Sequence, residues 1–335
     1  MTIDIHAHFL PESAVAAHQA GTTWHGIEFE RGRDGVPVAV SNDHRFAFGS
    51  PVHFEPMENR IALSQERGVD TEVLSLLPPL FRYDRSIADG VVAAKDHNDE
   101  LSALTQRFPG RFLGLATVAL QSPDAAAEEV VRSLSLPGIV GITIGTHVTG
   151  VNLDAESLQP FFDALEQVSA LVLIHPIAPR DRAALDNYYL RNVIGNPLET
   201  TIASASLMAS GRLDQLPNVT FCLAHGGGYT CAASGRLNHA HSVRHEFDSV
   251  RASAPRELLR RFLFDTLVHD ELTLKQLVEA VGVDRVVLGT DFPADMGQAD
   301  AAAMVRQLTF LSAAEKSSIL SDNVQRFIPV DGRHQ

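Results

Sequence analysis

The chain begins with the stretch Ile3-Asp4-Ile5-His6-Ala7-His8, which joins a short strand-like run to two histidines. Residues two apart in a strand point to the same side, so His6 and His8 are expected to project together. Imidazole is a common protein ligand for zinc and similar metals. A short H-x-H pair is not specific, because two unrelated polar residues at a strand end give the same pattern. The stretch therefore predicts a buried first strand and suggests a metal site at its end.

Strand-like runs and amphipathic helical segments alternate along the rest of the chain. The predicted strands are residues 3–8, 71–76, 112–117, 139–144, 171–175, 219–224, 262–265 and 286–290. The predicted helices are residues 58–67, 86–107, 125–134, 155–168, 198–210, 233–246, 272–281 and 301–311. Strands separated by helices of this length form βαβ units and a parallel sheet. Eight such units predict the α/β class and a (β/α)8 TIM barrel, with an open doubly wound sheet as the alternative.

Residues from about 10 to 56 interrupt this alternation with a segment rich in Gly, Pro and polar residues. It has no clear helical period, so we expect an insertion after the first strand that has room for short strands. Long ordered loops in compact enzymes are often functional, and this one is predicted to form a lid over the top of the barrel. No repeat, low-complexity tract or linker divides the chain, so residues 1–335 are predicted to be a single domain.

Polar residues follow three other predicted strands. His175 closes the run Leu171-Val172-Leu173-Ile174, His225 closes Phe221-Cys222-Leu223-Ala224, and Asp291 follows Val286-Val287-Leu288-Gly289-Thr290. In barrel enzymes the active site is built at the rim formed by the carboxyl ends of the strands. A lone polar residue there is usually a satisfied core group. Convergence from four strand ends instead predicts a metal-dependent active site.

Composition excludes several classes of protein. The 45% apolar and 20% charged residues fit a globular enzyme, and a formal charge of −14 argues against a nucleic-acid or anionic-membrane binder. Two cysteines, Cys222 and Cys231, cannot make a disulfide framework. No secretory signal or membrane-spanning stretch is visible in the sequence. These features predict a cytoplasmic protein that binds a small molecule.

Several longer motifs extend over nearly the whole chain. They are Ile3-Asp4-Ile5-His6-Ala7-His8 with Leu10-Pro11, Ile144-Gly145-Thr146-His147-Val148, Glu199-Thr200-Thr201-Ile202-Ala203, Ala224-His225-Gly226-Gly227-Gly228, Gly235-Arg236, Leu267-Val268-His269-Asp270 and Gly289-Thr290-Asp291-Phe292-Pro293. With them the chain resembles the amidohydrolase superfamily and, within it, the aminocarboxymuconate-semialdehyde decarboxylase (ACMSD) family. The first and last motifs are widely shared in the superfamily, whereas the Gly-Thr-His-Val, Glu-Thr-Thr-Ile-Ala and Leu-Val-His-Asp stretches are more specific to the decarboxylases.

The resemblance implies a ligand set and a catalytic residue. The family's metal ligands fall on His6, His8, His175 and Asp291, and its catalytic histidine falls on His225. Asp291 is expected to have a catalytic role in addition to its role as a ligand. No lysine closes the fourth predicted strand, where relatives with two metals carry a bridging lysine, so one divalent metal is expected. Zinc is the first choice, and manganese, cobalt and iron fit the same mixed ligands.

The resemblance also implies substrate contacts and a homodimer. Arg236 matches an arginine that reaches the substrate carboxylate from the neighbouring subunit, although in isolation a surface salt bridge would be the preferred explanation. Arg45, in the insertion, is a second candidate for binding a carboxylate. Arg180 and Arg182 follow His175 in a loop and are further possible anion contacts.

Three positions depart from the family pattern. Ile177, Asn192 and Ala294 stand where the family carries aromatic residues. Aromatic faces contribute contact area and orientation, so their loss predicts a changed pocket. Asn192 is still expected to contact the substrate, and Trp24, the sole tryptophan, is expected to compensate for the lost aromatic residues.

The function implied is non-oxidative decarboxylation of a small carboxylated aromatic or 2-amino-3-carboxymuconate-semialdehyde-like acid. A metal-bound water or hydroxide would act together with His225 as acid and base. A metal-dependent hydrolase of a lactone, amide or related bond is the alternative on the same scaffold. A non-catalytic metal-binding or regulatory protein is less consistent with an open coordination site beside a histidine.

Overall fold

Eight parallel strands form the centre of the protein. The computed structural model describes residues 1–32, 35–41, 44–180, 183–247, 250 and 253–328. The strands, in their spatial order, are β1 (Ile3–Phe9), β5 (Thr71–Leu76), β6 (Phe112–Thr117), β7 (Ile139–Gly145), β10 (Leu171–His175), β11 (Thr220–Leu223), β12 (Phe262–Asp265) and β13 (Val286–Val287). This sequential parallel order is that of a (β/α)8 barrel, as predicted.

Backbone hydrogen bonds between the first strand and the chain after the last strand close the barrel. The amide of Ile5 donates to the carbonyl of Leu288 at 2.9 Å, and the amide of His8 donates to the carbonyl of Phe292 at 2.7 Å. Ala7 and Phe292 form a parallel bridge between these bonds. Because both edges of the sheet are paired, the open doubly wound alternative is wrong.

Helices surround the barrel. They are α2 (Met57–Glu66), α3 (Ile87–Arg107), α4 (Pro123–Leu134), α5 (Gln159–Val168), α6 (Asn196–Ala209), α7 (Thr230–Val243), α8 (Pro255–Leu258), α9 (Glu271–Val281), α10 (Ala301–Gln307), α11 (Ala313–Ser317) and α12 (Asn323–Gln325). The predicted helix 155–168 starts later because the 3-10 turn Glu156–Leu158 precedes it, and the predicted helix 301–311 ends at Gln307. Among the described residues no helix is long and apolar enough to cross a membrane.

A bulge in β1 directs its side chains. Ile3 and Ile5 belong to the apolar cluster inside the barrel, whereas Ala7 and Phe9 belong to the layer between the strands and the helices. The register against β5 shifts between Asp4 and Ala7. This extra residue reverses the alternation, as a β-bulge does. It therefore turns His6 and His8 toward the barrel axis on the same side as Ile3 and Ile5.

The insertion is more regular than its composition suggested. It contains the antiparallel sheet β2 (Glu28–Arg31), β3 (Pro37–Ser41) and β4 (His44–Ala47), in agreement with the expected short strands. It also contains the helix α1 (Glu12–Ala20), which the sequence pattern did not predict. That helix buries only Ala14 and has no apolar stripe, so its period is invisible in the sequence. A second small hairpin pairs β8 (His147–Val148) with β9 (Val151–Asn152).

Candidate metal centre and active site

Four side chains converge at the carboxyl ends of the barrel strands. His6 and His8 project from β1, His175 ends β10, and Asp291 follows β13. Their ligand atoms all lie within 4.8 Å of one another, and all four residues are buried. The Nε2 atom of His8 lies 3.3 Å from Nε2 of His6 and 3.3 Å from Nε2 of His175. The Oδ1 atom of Asp291 lies 2.9 Å from Nε2 of His8.

The hydrogen bonds made by Nδ1 of the ligand histidines determine which ring nitrogen faces the centre of the cluster. Nδ1 of His6 lies 2.6 Å from the carboxylate of Asp265, and Nδ1 of His175 lies 2.8 Å from the carbonyl of Pro176. Both partners are acceptors, so each neutral ring carries its proton on Nδ1 and presents the lone pair of Nε2. Facing lone pairs repel unless a proton or a metal ion lies between them.

A divalent metal fits these donors. Four ligand atoms roughly 2.1 Å from one ion lie about 3.4 Å apart in a tetrahedron. The measured nitrogen–nitrogen separations of 3.3 Å match this spacing. The oxygen of Asp291 lies 3.4 Å from Nε2 of His6 and 4.0 Å from Nε2 of His175. The cluster is therefore a site for one divalent metal.

The protonation of the cluster follows from burial and from the two carboxylates. Burial lowers the pKa of His6, but Asp291 and Asp265 outweigh it and raise the pKa to about 10. Burial lowers the pKa of His8 and places that of His175 well below its usual value. Burial would raise the pKa of Asp291, yet the surrounding histidines hold it well below the normal range. In the absence of a cation, one proton is thus retained on His6; a metal ion would replace it.

Asp265 connects the ligand cluster to the loop that carries His225. It ends β12 and is fully buried. Its carboxylate accepts the 2.6 Å hydrogen bond from His6 and also bonds from the amides of His225 at 2.9 Å and Gly226 at 2.6 Å. Burial raises the pKa of Asp265, but the hydrogen bond from His6 and its charge lower it below the usual range. A carboxylate that orients a ligating imidazole in this way raises the basicity of the ligand.

His225 lies beside the ligand cluster on a strained turn. Its Nε2 atom lies 3.5 Å from Oδ2 of Asp291, and its ring centroid lies 4.9 Å from that of His175. The side chain is 17% exposed, so it can exchange protons with solvent. Its φ of 57° places a non-glycine residue in the left-handed region, a conformation that often marks functional sites. The turn needs Gly228, where a Cβ atom would lie 2.1 Å from the carbonyl oxygen of Pro197.

A cavity of about 700 Å³ opens above this cluster. His8, His175, His225 and Asp291 form part of its lining. The insertion supplies one wall, with Phe46 and other residues of its sheet. The metal centre and the histidine beside it are therefore accessible to a bound molecule.

A profile of the family described as amidohydrolase matches residues 3–330 of the chain. The chain belongs to the amidohydrolase family. A 2-amino-3-carboxymuconate-6-semialdehyde decarboxylase from Dictyostelium discoideum is 31% identical over 99% of this chain and 92% of its own. A gamma-resorcylate decarboxylase from Rhizobium radiobacter is 27% identical over 82% of this chain and 88% of its own.

A solved structure shares the fold of this amidohydrolase. It is a 5-carboxyvanillate decarboxylase from Novosphingobium aromaticivorans, complexed with manganese and 4-hydroxy-3-methoxy-5-nitrobenzoic acid. It superposes with a TM-score of 0.80 at 23% sequence identity, covering 98% of this chain and 95% of the other. The ACMSD-like resemblance of the sequence is thus confirmed, as is the barrel.

The structure separates the expected substrate contacts into two groups. Arg45 and Asn192 line the cavity, although Arg45 is largely exposed and pairs with Glu30 at 2.7 Å. Arg236 is exposed on α7 and does not line the cavity of its own chain. Its expected role is in a neighbouring subunit, so it stays a prediction.

Trp24 lies outside the described lining of the cavity. It is 7% exposed, its indole N–H donates to the hydroxyl of Ser13 at 2.9 Å, and it is not among the residues that line the cavity. The side chain is buried within the insertion, and its expected compensation for the lost aromatic residues stays a prediction. Arg180 lines the cavity and pairs with Glu199 at 3.0 Å, whereas Arg182 lies outside the described residues.

Two residues that the sequence analysis did not identify, Ser75 and Tyr83, make hydrogen bonds next to the site. Ser75 lies 3.0 Å from Nδ1 of His8, with its hydroxyl 3.3 Å from the carbonyl of Ala7. The hydroxyl oxygen of Tyr83 accepts a 3.0 Å hydrogen bond from the amide of Gly145 at the end of β7. Ser75 lies two residues after Val73, which faces the barrel interior. That alternation was available in the sequence and could have identified Ser75 as inward-facing.

Proposed function

We propose that this amidohydrolase is a metal-dependent, non-oxidative decarboxylase of a small carboxylated aromatic or 2-amino-3-carboxymuconate-semialdehyde-like acid. The observation that carries the proposal is the juxtaposition of a three-histidine, one-aspartate cluster with His225 at the base of one cavity. The decarboxylase that is 31% identical over 99% of the chain supports the reaction type.

The reaction requires no oxidant. The bond between the substrate carbon and its carboxylate breaks, the carboxylate leaves as CO2, and the carbon takes up one proton in its place. His225 is the group we assign to that proton, because its ring is adjacent to Asp291 and partly open to solvent. A proton delivered from Nε2 can be replaced from water after each turnover.

The ligands are His6, His8, His175 and Asp291, and a bound divalent metal supplies Lewis acidity that stabilises developing negative charge. Asp265 fixes the ring of His6 and the backbone of His225 at the same time. This shared anchor holds the proton-transfer group at a constant position relative to the ligand cluster. Such preorganisation is a main source of catalytic power.

We infer zinc as the native metal. Three histidine nitrogens and one aspartate oxygen are donors that zinc accepts, and they support this choice. The same mixed donor set accepts manganese, which the 5-carboxyvanillate decarboxylase binds. Elemental analysis of protein purified without added metal distinguishes the two ions.

We also propose a homodimer in which Arg236 of each chain reaches the cavity of the other. An exposed apolar surface near α7 supports a subunit contact; it is formed by Tyr188, Tyr189, Val193, Ile194, Leu198 and Tyr229. Exposed apolar side chains grouped in one part of a chain are typical of a subunit contact. Arg45 would hold the substrate carboxylate from the insertion, which we propose to act as a lid within a single domain of residues 1–335.

The experiment that tests the function is a CO2-release screen over carboxylated aromatic and muconic acids, performed with protein of known metal content. We expect about one metal per chain and CO2 from at least one acid. One metal without CO2, together with cleavage of a lactone or amide, would favour the hydrolase. Absence of metal under every loading condition would overturn the proposal.

A further inference from the structure

The cavity is larger than a single-ring acid requires. Its volume of about 700 Å³ lies in the upper half of the range of roughly 300–1,000 Å³ found for pockets that enclose drug-sized ligands. A benzene ring with one carboxylate is much smaller than such a ligand. Space for a further substituent is therefore built into the site.

Apolar side chains form most of two walls. The insertion contributes Ile27, Ala39, Val40, Phe46, Ala47 and Phe48. The loop after β5 contributes residues 77–81, of which Leu77, Leu80 and Phe81 are buried. An apolar wall gains free energy when it covers an apolar group, and it offers no compensation to a desolvated charge.

The positive charges in the lining already have acidic partners within the chain. Arg82 binds Asp84 through two hydrogen bonds of 2.7 and 2.8 Å, and Arg180 lies 3.0 Å from buried Glu199. Arg45 pairs with Glu30. Arg191, which also lines the cavity, pairs with Asp186.

A second substrate carboxylate would have to displace one of these partners. The pair of Arg45 and Glu30 is exposed on both sides and therefore weak, so Arg45 can accept one substrate carboxylate. Burial lowers the pKa of His53, another lining residue, to about 3, so its ring adds no charge at neutral pH. Among the described arginines of the lining, Arg45 is thus the one that can turn to the single substrate carboxylate, and the others stay neutralised by their own acidic partners.

We propose that the substrate of this amidohydrolase is a monocarboxylic acid with a bulky, uncharged, apolar substituent that lies between the insertion and the loop after β5. The inference rests on the proposed function, because it assumes that the carboxylate lies at the metal centre. It narrows the substrate class from small carboxylated acids in general to those with one carboxylate and an apolar extension.

Three residues that replace aromatic residues of the family pattern leave part of the cavity unfilled. Ile177, Asn192 and Ala294 all line the cavity. A Cβ atom added to Gly145 would lie 3.0 Å from Cγ2 of Ile177, so the side chain of Ile177 packs closely against the end of β7. An isoleucine side chain is nevertheless smaller than the indole of a tryptophan and fills less of the cavity. Refilling these positions with aromatic rings should restrict the cavity without removing any metal ligand.

The test compares binding and turnover of two kinds of acid in the metal-loaded protein. The probes are 2-hydroxybenzoic acids that carry either a second carboxylate or an apolar alkyl or aryl group. Calorimetry is expected to give a dissociation constant at least about tenfold lower for the apolar-substituted monoacid than for the single-ring diacid. Tighter binding of the diacid would overturn the proposal.

Variants with larger side chains in the cavity lining test whether the apolar substituent occupies the cavity. Ala294→Phe and Ile177→Trp should each weaken binding of the bulky monoacid at least about tenfold, and change that of unsubstituted 2-hydroxybenzoate less than about threefold. Val131→Trp, at a half-exposed residue of α4 outside the cavity, is the control and should change neither. Equal losses for both acids in the filled variants would contradict the proposal that the cavity holds a bulky substituent beyond the ring of the acid.

These experiments distinguish failure of the proposed substrate class from failure of the proposed decarboxylase function. If the apolar-substituted monoacid binds more tightly than the diacid but no acid releases CO2, then the decarboxylase function is wrong. The proposed size and charge of the bound acid then stand. If CO2 is released but the diacid is preferred in both binding and kcat/KM, then the function stands and the narrower substrate class is wrong.

Discussion

The carboxylate of Asp265 accepts a 2.6 Å hydrogen bond from Nδ1 of His6, and the two residues lie 259 positions apart in the chain. Both side chains are fully buried. The same carboxylate also accepts the amides of His225 and Gly226. One residue thus orients a metal ligand and holds the loop that carries the proposed proton donor, which gives it two separable effects on function.

Asp265→Asn is expected to weaken metal binding. An amide cannot accept the hydrogen bond from His6 as a charged carboxylate does, so metal affinity should fall about 10- to 100-fold. Competition with a chelator of known affinity measures this change. Asp270→Asn is the control, because Asp270 caps α9 at the surface and contacts no ligand. Unchanged affinity in Asp265→Asn would refute the orienting role.

His225→Ala is expected to keep the metal and lose turnover. The residue is not among the four ligands, and general acid–base groups typically contribute about 10²- to 10⁴-fold to rate. Metal content and kcat measured on the same preparation separate the two effects. His245→Ala, at an exposed residue beyond α7, is the matched control. A His225→Ala protein with most of its activity would rule out the assignment.

Mixing two inactive variants tests the role of Arg236 in the neighbouring subunit. His225→Ala and Arg236→Ala should each be inactive alone. If Arg236 acts across a dimer, a hybrid dimer contains one intact site, and random exchange should restore roughly a quarter of wild-type activity. Light scattering establishes the oligomeric state in parallel. A monomeric protein, or an exchanged mixture without activity, would show that Arg236 does not act in this way.

His97 is expected to make stability depend on pH. It is buried in α3 with its ring 5.0 Å from that of Phe9, and burial lowers its pKa to about 3. In the unfolded chain the pKa is about 6.5, so below that pH the unfolded state binds a proton that the folded state does not. Stability from this group is therefore present above pH 6.5 and falls as the pH decreases.

Urea unfolding of wild type and His97→Leu at pH 7.5 and 5.5 measures this contribution. The wild type should lose about 1 kcal/mol more free energy of unfolding than the variant over this interval. The other titrating groups are common to both proteins and cancel in the comparison. Equal losses would show that His97 is protonated to the same extent in both states.

Much of the fold followed from periodicity within short stretches. The strand 71–76 and the strand 171–175 were predicted with the bounds that the structure has. The last strand was predicted as 286–290 but ends at Val287, and beyond it the amides of Thr290 and Asp291 both donate to the carbonyl of His6, at 3.3 and 2.8 Å, which departs from a regular ladder. The helix α1 escaped prediction because it lacks an apolar stripe.

The sequence by itself determined the βαβ order of the barrel and the residue types at its strand ends. Strand periodicity and side-chain chemistry are local properties, so the polar residues at four strand ends could be selected before any contact was known. The family resemblance then assigned His6, His8, His175 and Asp291 as the ligands. Tertiary structure alone decided how close these groups lie, that Asp265 bonds His6, and that Trp24 packs away from the cavity. Those relationships depend on barrel closure and on a bulge in β1, which join residues far apart in the chain and have no local signature in the sequence.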